Sequence, residues 1–234
     1  MMNAAAGIFL AARRKKGWTN PYVTDGLVAM WDGEWNVAGG VHDATATSWK
    51  DLVGSNDARI AEGGSWGSSY LACDGVACGA ICANIQPGSV GTIECVVSGI
   101  DTSNQGIILG VCQRVDGNPI IARGNGLIFV QFANSASSGY NNRFRFNGSQ
   151  MRLAVTYSPE GIAKAYIGTT EQVMVANGVT YTNTSFGFGG RFYLNNYSYC
   201  LKCNIHRAAI YSRALTAAEI AANYAVDKAR FGLP

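Results

Sequence analysis

Met151-Arg-Leu-Ala-Val-Thr-Tyr-Ser-Pro-Glu-Gly-Ile-Ala-Lys-Ala-Tyr-Ile167 decides the fold. Side chains alternate across a β-strand, so Met151, Leu153, Val155 and Tyr157 share one face. Ser158-Pro-Glu-Gly161 carries turn chemistry, and Gly161-Ile-Ala-Lys-Ala-Tyr-Ile167 returns as the second arm of a hairpin. Upstream, Asn142-Arg-Phe-Arg-Phe-Asn147 alternates in the same way, with Phe144 and Phe146 inward and Arg143 and Arg145 outward. Gly126-Leu-Ile-Phe-Val-Gln-Phe132 is apolar on both faces and reads as a buried inner strand. Gly106-Ile-Ile-Leu-Gly-Val111, Thr92-Ile-Glu-Cys-Val-Val97 and Gly26-Leu-Val-Ala-Met-Trp31 are further strands. In the last, Leu27, Ala29 and Trp31 fall on one face before the Asp32-Gly33 turn. Residues 191–194 and 204–211 close the set. Many short strands with regular turn signals indicate a sandwich or barrel. No helix of ten or more residues alternates with them, which disfavours a parallel α/β sheet.

One helix is predicted, at about residues 217–229. Thr216-Ala-Ala-Glu219 is a capping box, in which the hydroxyl caps the first turn and Glu219 reaches back. Leu215 and Ile220 are placed as a hydrophobic staple, and Ile220 and Tyr224 lie on one face, expected to dock on the sandwich edge.

The 234 residues are 48% hydrophobic but only 14% charged, against about 25% charged in an average domain. Disorder needs the opposite balance. A net charge of +3 is too small for a nucleic-acid-binding face. The dense basic run is Arg13-Arg14-Lys15-Lys16. Its plain reading is a solvated N-terminal arm and its functional reading an attachment segment. The apolar stretch before it has nine residues, where a membrane helix needs about 20, and its positive residues follow rather than precede it. Neither a signal peptide nor a membrane span is expected. Residues 1–20 are therefore expected to form an arm for attachment or oligomerisation, and residues 21–234 one domain including the helix. Seven cysteines forbid full pairing within one chain. Cys200-Leu-Lys-Cys203 has CxxC spacing, but no second pair repeats it, so mostly free thiols are expected.

Several segments resemble the laminin-G-like jelly rolls of the concanavalin A-like lectin/glucanase superfamily. They are Asp25-Gly-Leu-Val-Ala-Met-Trp31, Ser48-Trp-Lys-Asp-Leu-Val-Gly54 with Asn56-Asp57, Leu71-Ala-Cys-Asp-Gly75 and the hairpin above. The most specific is Ile205-His-Arg-Ala-Ala-Ile-Tyr-Ser-Arg-Ala-Leu-Thr-Ala-Ala-Glu-Ile220, which is similar to the family's closing strand and helix. The resemblance implies an all-β, two-sheet antiparallel jelly-roll sandwich with a short N-terminal arm and one C-terminal helix. It departs from the family at Cys73, where an aromatic is usual, and at Gly168, where an Asp-Gly turn is usual. Thr19-Asn-Pro-Tyr-Val-Thr-Asp-Gly26 and Val226-Asp-Lys-Ala-Arg-Phe-Gly-Leu-Pro234 resemble the ends of small phage and prophage proteins from gut bacteria. That likeness implies a virion component, such as a head fibre, decoration or tail protein, with a bacterial cell-surface protein as the alternative location.

The superfamily also implies glycoside hydrolases, which need two carboxylates about 5–5.5 Å apart in the retaining class. Only Glu94 falls on a comparable central strand, and Val96 and Val97 follow it. A non-catalytic, lectin-like role is therefore expected, with the hydrolase as the alternative. Sugar sites combine an aromatic face with amides and carboxylates. Candidate clusters are Asp32, Glu34 and Trp35 after the first strand, Trp66 in a Gly/Ser loop, Tyr140, Asn141 and Asn142, and Asn195, Asn196 and Tyr197. The plain reading of each cluster is ordinary turn chemistry, since Asn and Gly dominate turns. Trp31, Trp49 and His206 read as structural. Calcium is compatible with such loops, as the family often holds one, but no cofactor is required. The partners expected are a glycan, virion proteins through the arm, and further copies of the chain.

Overall fold

The computed structural model describes residues 18–83, 85, 88–101, 103–111, 119–124, 127–132, 142–145, 150–158, 162–175, 185–193 and 196–234, with backbone alone at 111, 119–124, 127–132, 142–145, 162, 172–175 and 192–193. In chain order the strands begin with β1 (Leu27–Asp32), β2 (Ser48–Trp49), β3 (Ala58–Ile60), β4 (Gly64–Trp66), β5 (Leu71–Asp74) and β6 (Ala80–Cys82). They continue with β7 (Gly91–Ser98), β8 (Gly106–Val111), β9 (Pro119–Gly124), β10 (Leu127–Phe132), β11 (Asn142–Arg145) and β12 (Met151–Tyr157). The last are β13 (Ile162–Ile167), β14 (Thr170–Val175), β15 (Phe186–Phe188), β16 (Arg191–Tyr193), β17 (Asn196–Ser198) and β18 (Lys202–Tyr211), followed by helix α1 (Ala217–Phe231).

Among the described residues these form two antiparallel sheets and a short hairpin. One sheet runs β14-β13-β12-β7-β18-β5-β4, with β1 also paired to β18. The other runs β11-β10-β9-β8-β15-β6-β3-β2, and β16 pairs with β17. The fold is the two-sheet, all-β sandwich with a C-terminal helix that the sequence implies. The hairpin of β12 and β13 is in register from Leu153 opposite Ile167 to Tyr157 opposite Ala163. Residues 159–161 of its predicted connection lie outside the described residues.

The inward faces meet in one apolar core. Met151, Leu153, Val155 and Tyr157 of β12 and Ile93, Cys95 and Val97 of β7 pack with Trp31, Trp49, Phe186 and Phe188. Trp31 and Phe188 meet edge-on at 5.1 Å between ring centroids, an arrangement that adds about 0.5–1.5 kcal/mol beyond area burial. Trp31 and Trp49 are fully buried, and both indole N–H groups donate to carbonyls, of Asn56 and Asp32 respectively.

The pattern of β1 departs from simple alternation. Its register on β18 shifts between Leu27 and Ala29. Ala29 and Trp31 enter the inter-sheet core, but Leu27 joins Met30 in a second apolar cluster with Tyr166, Ala209, Tyr211, Leu215 and Ile220. An irregularity of this kind moves every residue before it to the other face, so Leu27 does not share a face with Trp31.

The segment after β2 explains why its acids are spent on structure. Both Asp51 carboxylate oxygens accept hydrogen bonds: Oδ1 from the Met30 and Val53 N–H groups at 3.1 and 3.0 Å, and Oδ2 from the Asn56 N–H at 3.0 Å. Helix α1 carries the predicted capping box, and it ends at Gly232 with φ 64°, a left-handed cap that glycine adopts without a Cβ clash.

Candidate functional site

The second cluster lies on the outer face of the β12-β7-β18 layer, beneath α1. Alternation puts Glu94 of β7, Arg152 of β12 and Arg207 of β18 on this face, opposite their core-facing neighbours Cys95, Leu153 and Ala208. The helix presents Ile220, Asn223 and Asp227 as its buried residues. Ile220 docks as expected, while Asn223 and Asp227 rather than Tyr224 complete the buried face. Tyr224 stays half-buried beside Gly168, and the buried face of the helix combines apolar Ile220 with polar Asn223 and Asp227.

Glu94, Arg152, Arg207 and Asp227 have fully buried side chains. Arg207 Nη2 donates to Glu94 Oε2 at 3.0 Å and to Asp227 Oδ2 at 2.7 Å. Arg152 Nε donates to Asp227 Oδ2 at 3.1 Å, and Arg152 Nη2 to Glu94 Oε1. Asn223 Nδ2 donates to Glu94 Oε2 at 3.1 Å and to the Tyr211 hydroxyl at 2.9 Å. Two anions face two cations, so the cluster is balanced in charge, as burial requires. Burial opposes the Arg207 charge, but Asp227, Tyr22 and Glu94 outweigh it and hold its pKa well above the ordinary value. Glu94, the acid on the central strand, is thus bound by two guanidiniums and an amide with no exposed side-chain surface. The arrangement fastens the helix to the sheet.

The cluster continues through Tyr22. Its hydroxyl donates to Asp227 Oδ1 at 2.8 Å and accepts from Arg230 Nη1 at 2.7 Å. Burial, chiefly, raises the Tyr22 pKa. Arg230 also binds Asp32 bidentately, at 2.7 and 3.1 Å, and Glu34 Oε2 at 2.7 Å. Its guanidinium carbon lies 3.6 Å from the centroid of the Trp35 ring, and Trp18 meets Trp35 edge-on at 5.4 Å. Burial drives the Asp32 carboxyl upward against the pull of Arg230.

Asp32, Glu34 and Trp35 therefore do come together, but around Arg230 of the helix. Asp32 is fully buried, whereas the Glu34 side chain is about half exposed. Trp66 belongs to β4 rather than to a loop. It packs on the core, meets Trp49 edge-on at 5.5 Å and donates its N–H to the Ala46 carbonyl at 2.7 Å. Asn142 opens β11 opposite Val130. Asn196 is exposed at the start of β17, and Tyr197 packs half-buried against Ala61, Cys78 and Ile81. Tyr140, Asn141, Asn195, Arg13, Arg14, Lys15 and Lys16 lie outside the described residues. Among the described residues no group of three or more His, Cys, Asp or Glu side chains is placed to hold a metal ion, so calcium has no preformed acidic cluster there. Nor is any helix long and apolar enough to cross a membrane.

The sequence reading missed the residue after β17. Tyr199 is 57% exposed and has φ 52°, the one non-glycine positive φ among the described residues. Its carbonyl accepts from the Ile107 N–H at 2.9 Å, and the Leu201 N–H donates to Gly189 at 3.1 Å. These bonds hold a backbone conformation that costs a non-glycine residue roughly 1–3 kcal/mol. The Arg191 guanidinium sits 4.8 Å from the Tyr199 ring centroid.

No family model matches the chain, and no curated protein sequence matches it. Solved structures do match. A Trypanosoma rangeli sialidase in complex with sialic acid superposes with a TM-score of 0.64 at 16% identity, over 85% of this chain and 32% of that one. The botulinum neurotoxin type G receptor binding domain gives 0.63 at 10% identity, over 87% of this chain and 52% of that one. The botulinum neurotoxin serotype D ligand binding domain, in complex with N-acetylneuraminic acid, gives 0.62 at 13%, over 86% and 51%. The chain spans about a third of the sialidase and half of each toxin domain. At these identities the likeness establishes the β-sandwich fold.

Proposed function

We propose that this chain is a non-catalytic, lectin-like module that binds glycans ending in an acidic sugar, through the surface formed by Tyr199, Arg191 and Asn196. The observation that carries the reading is Tyr199, an exposed ring held in a strained left-handed backbone beside a guanidinium. Strain of this kind marks positions fixed by more than local preference. An aromatic face suits the apolar side of a sugar ring, and arginine suits a carboxylate through paired N–H donors. Asn196, exposed on the same hairpin, adds an amide for hydroxyl groups. Two of the structural neighbours hold sialic acid, which is an acidic sugar of this type. The non-catalytic part of the reading rests on Glu94, whose oxygens are engaged beneath the helix. Presentation on a virion, as a homo-oligomer anchored through Arg13 to Lys16, is the setting we propose from the sequence of the chain ends.

The test is a glycan array probed with the whole protein and with Tyr199→Ala. Binding to sialylated glycans that disappears after desialylation and in the variant supports the reading. A blank array from folded wild type, or release of free sialic acid during incubation, overturns it. For the setting, deletion of residues 1–17, which leaves Trp18 on Trp35, is expected to abolish incorporation into particles.

A further inference from the structure

The fold gathers four of the seven cysteines from two distant stretches of chain. Cys73 of β5 is directly opposite Cys203 of β18. Cys78, in the turn after β5, hydrogen-bonds Cys200, in the segment leading into β18. A Cβ placed on Gly190 would lie 3.1 Å from Cys78 Sγ and 3.2 Å from Cys200 Sγ, so both sulfurs border the space that this glycine leaves open.

The two pairs differ in access. Cys73 and Cys203 are buried in the inter-sheet core, and the Cys203 contact and burial push the Cys73 thiol well up. Cys82 and Cys95 are also buried, and burial pushes the Cys95 thiol up. Cys200 alone among the described cysteines is half-buried rather than buried. The Cys78 thiol bonded to it lowers its pKa, which favours the thiolate, the form that reacts.

We propose that Cys78 and Cys200 form a reversible disulfide by exchange with small disulfides such as oxidised glutathione. This inference is independent of the glycan reading. The Cys200 thiolate attacks one sulfur of the small disulfide; its S–S bond breaks, a mixed disulfide forms on Cys200, and one small thiolate leaves. Cys78 then attacks Cys200 Sγ; the mixed disulfide breaks, and the second small thiolate takes the Cys78 proton and leaves as the thiol. Two protein thiols are oxidised, and one small disulfide is reduced to two thiols. The bond would tie the β5–β6 turn to the segment carrying Tyr199, restricting the unfolded chain across a long loop.

The experiment equilibrates the full-length protein in glutathione redox buffers and maps disulfides by mass spectrometry of peptides, with melting temperature read in parallel. The expected result is one internal bond, Cys78 to Cys200. It is absent from Cys200→Ser and Cys78→Ala, retained in Cys82→Ala, reversed by dithiothreitol, and accompanied by a higher melting temperature. Cys200 is not a core residue, so Cys200→Ser tests the bond even where Cys78→Ala fails to fold. Glutathione retained on Cys200 without resolution overturns the proposal, as do a Cys73–Cys203 bond, a bond to Cys112, or thiols that all stay free.

Discussion

Arg207 Nη2 lies 2.7 Å from Asp227 Oδ2, joining β18, which pairs with three other strands, to the helix that covers it. Asp227 also receives Arg152 and Tyr22, so removing its carboxylate leaves the two buried guanidiniums of Arg152 and Arg207 sharing the single charge of Glu94. Asp227→Ala is expected to cost about 3–5 kcal/mol of unfolding free energy in urea titration. The exposed Lys50–Asp57 pair, at the same 2.7 Å, supplies the contrast: Lys50→Ala is expected to cost about 0–1 kcal/mol. Similar losses for the two variants would contradict this assignment.

The capping box should show itself in acid. Arg213 and the Thr216 N–H hold the Glu219 carboxyl down to about 2, below the ordinary 4.5. A folded-state pKa below the unfolded one means that the stabilisation is present above about pH 4.5. It fades as the pH falls toward 2. Glu219→Gln should flatten that part of the stability profile, and Thr216→Ala should cost about 1 kcal/mol at neutral pH. Chemical denaturation between pH 2 and 7 checks both, as a pH-independent difference would exclude the titration.

His206 predicts a second acid-sensitive window. It lies between the Tyr70 and Phe231 rings, with Nε2 2.8 Å from Ser98 Oγ, and burial pushes its pKa from 6.5 down to about 4. The unfolded chain therefore binds the proton more readily. Stability should decline as pH falls from about 6.5 to about 4, by on the order of 3 kcal/mol. In His206→Gln that decline should vanish, and its persistence would show that other groups cause it.

Tyr199 and Trp66 should respond in opposite ways. Tyr199→Gly relieves a left-handed backbone and is expected to leave stability unchanged or raise it by about 1 kcal/mol, while removing glycan binding. Trp66→Ala removes a ring packed on the core and is expected to cost roughly 3 kcal/mol. Melting temperatures of the two variants, read beside array binding, separate a recognition residue from a packing one.

The hairpin of β12 and β13 was legible because seven alternating residues fix both faces, and the helix because its cap is local in sequence. Three-residue strands such as β3, β4 and β6 are too short to display a period. The charge cluster was hidden for a different reason. Alternation assigns Glu94, Arg152 and Arg207 to the face opposite the core, but it cannot tell solvent from a covering helix. The partners are also remote, with Glu94 and Asn223 separated by 129 positions. Tyr199 escaped because its positive φ goes with backbone bonds to remote segments, from Ile107 to its own carbonyl and from Leu201 to Gly189, which no local pattern announces.

The most direct test of the central claim is calorimetric titration of the folded protein with sialyllactose and with lactose. The account predicts saturable binding of sialyllactose that is lost in Tyr199→Ala, and a preference over lactose that Arg191→Gln reduces about tenfold, or about 1.4 kcal/mol. Equal affinity for the two sugars, or binding unchanged in Tyr199→Ala, would contradict it.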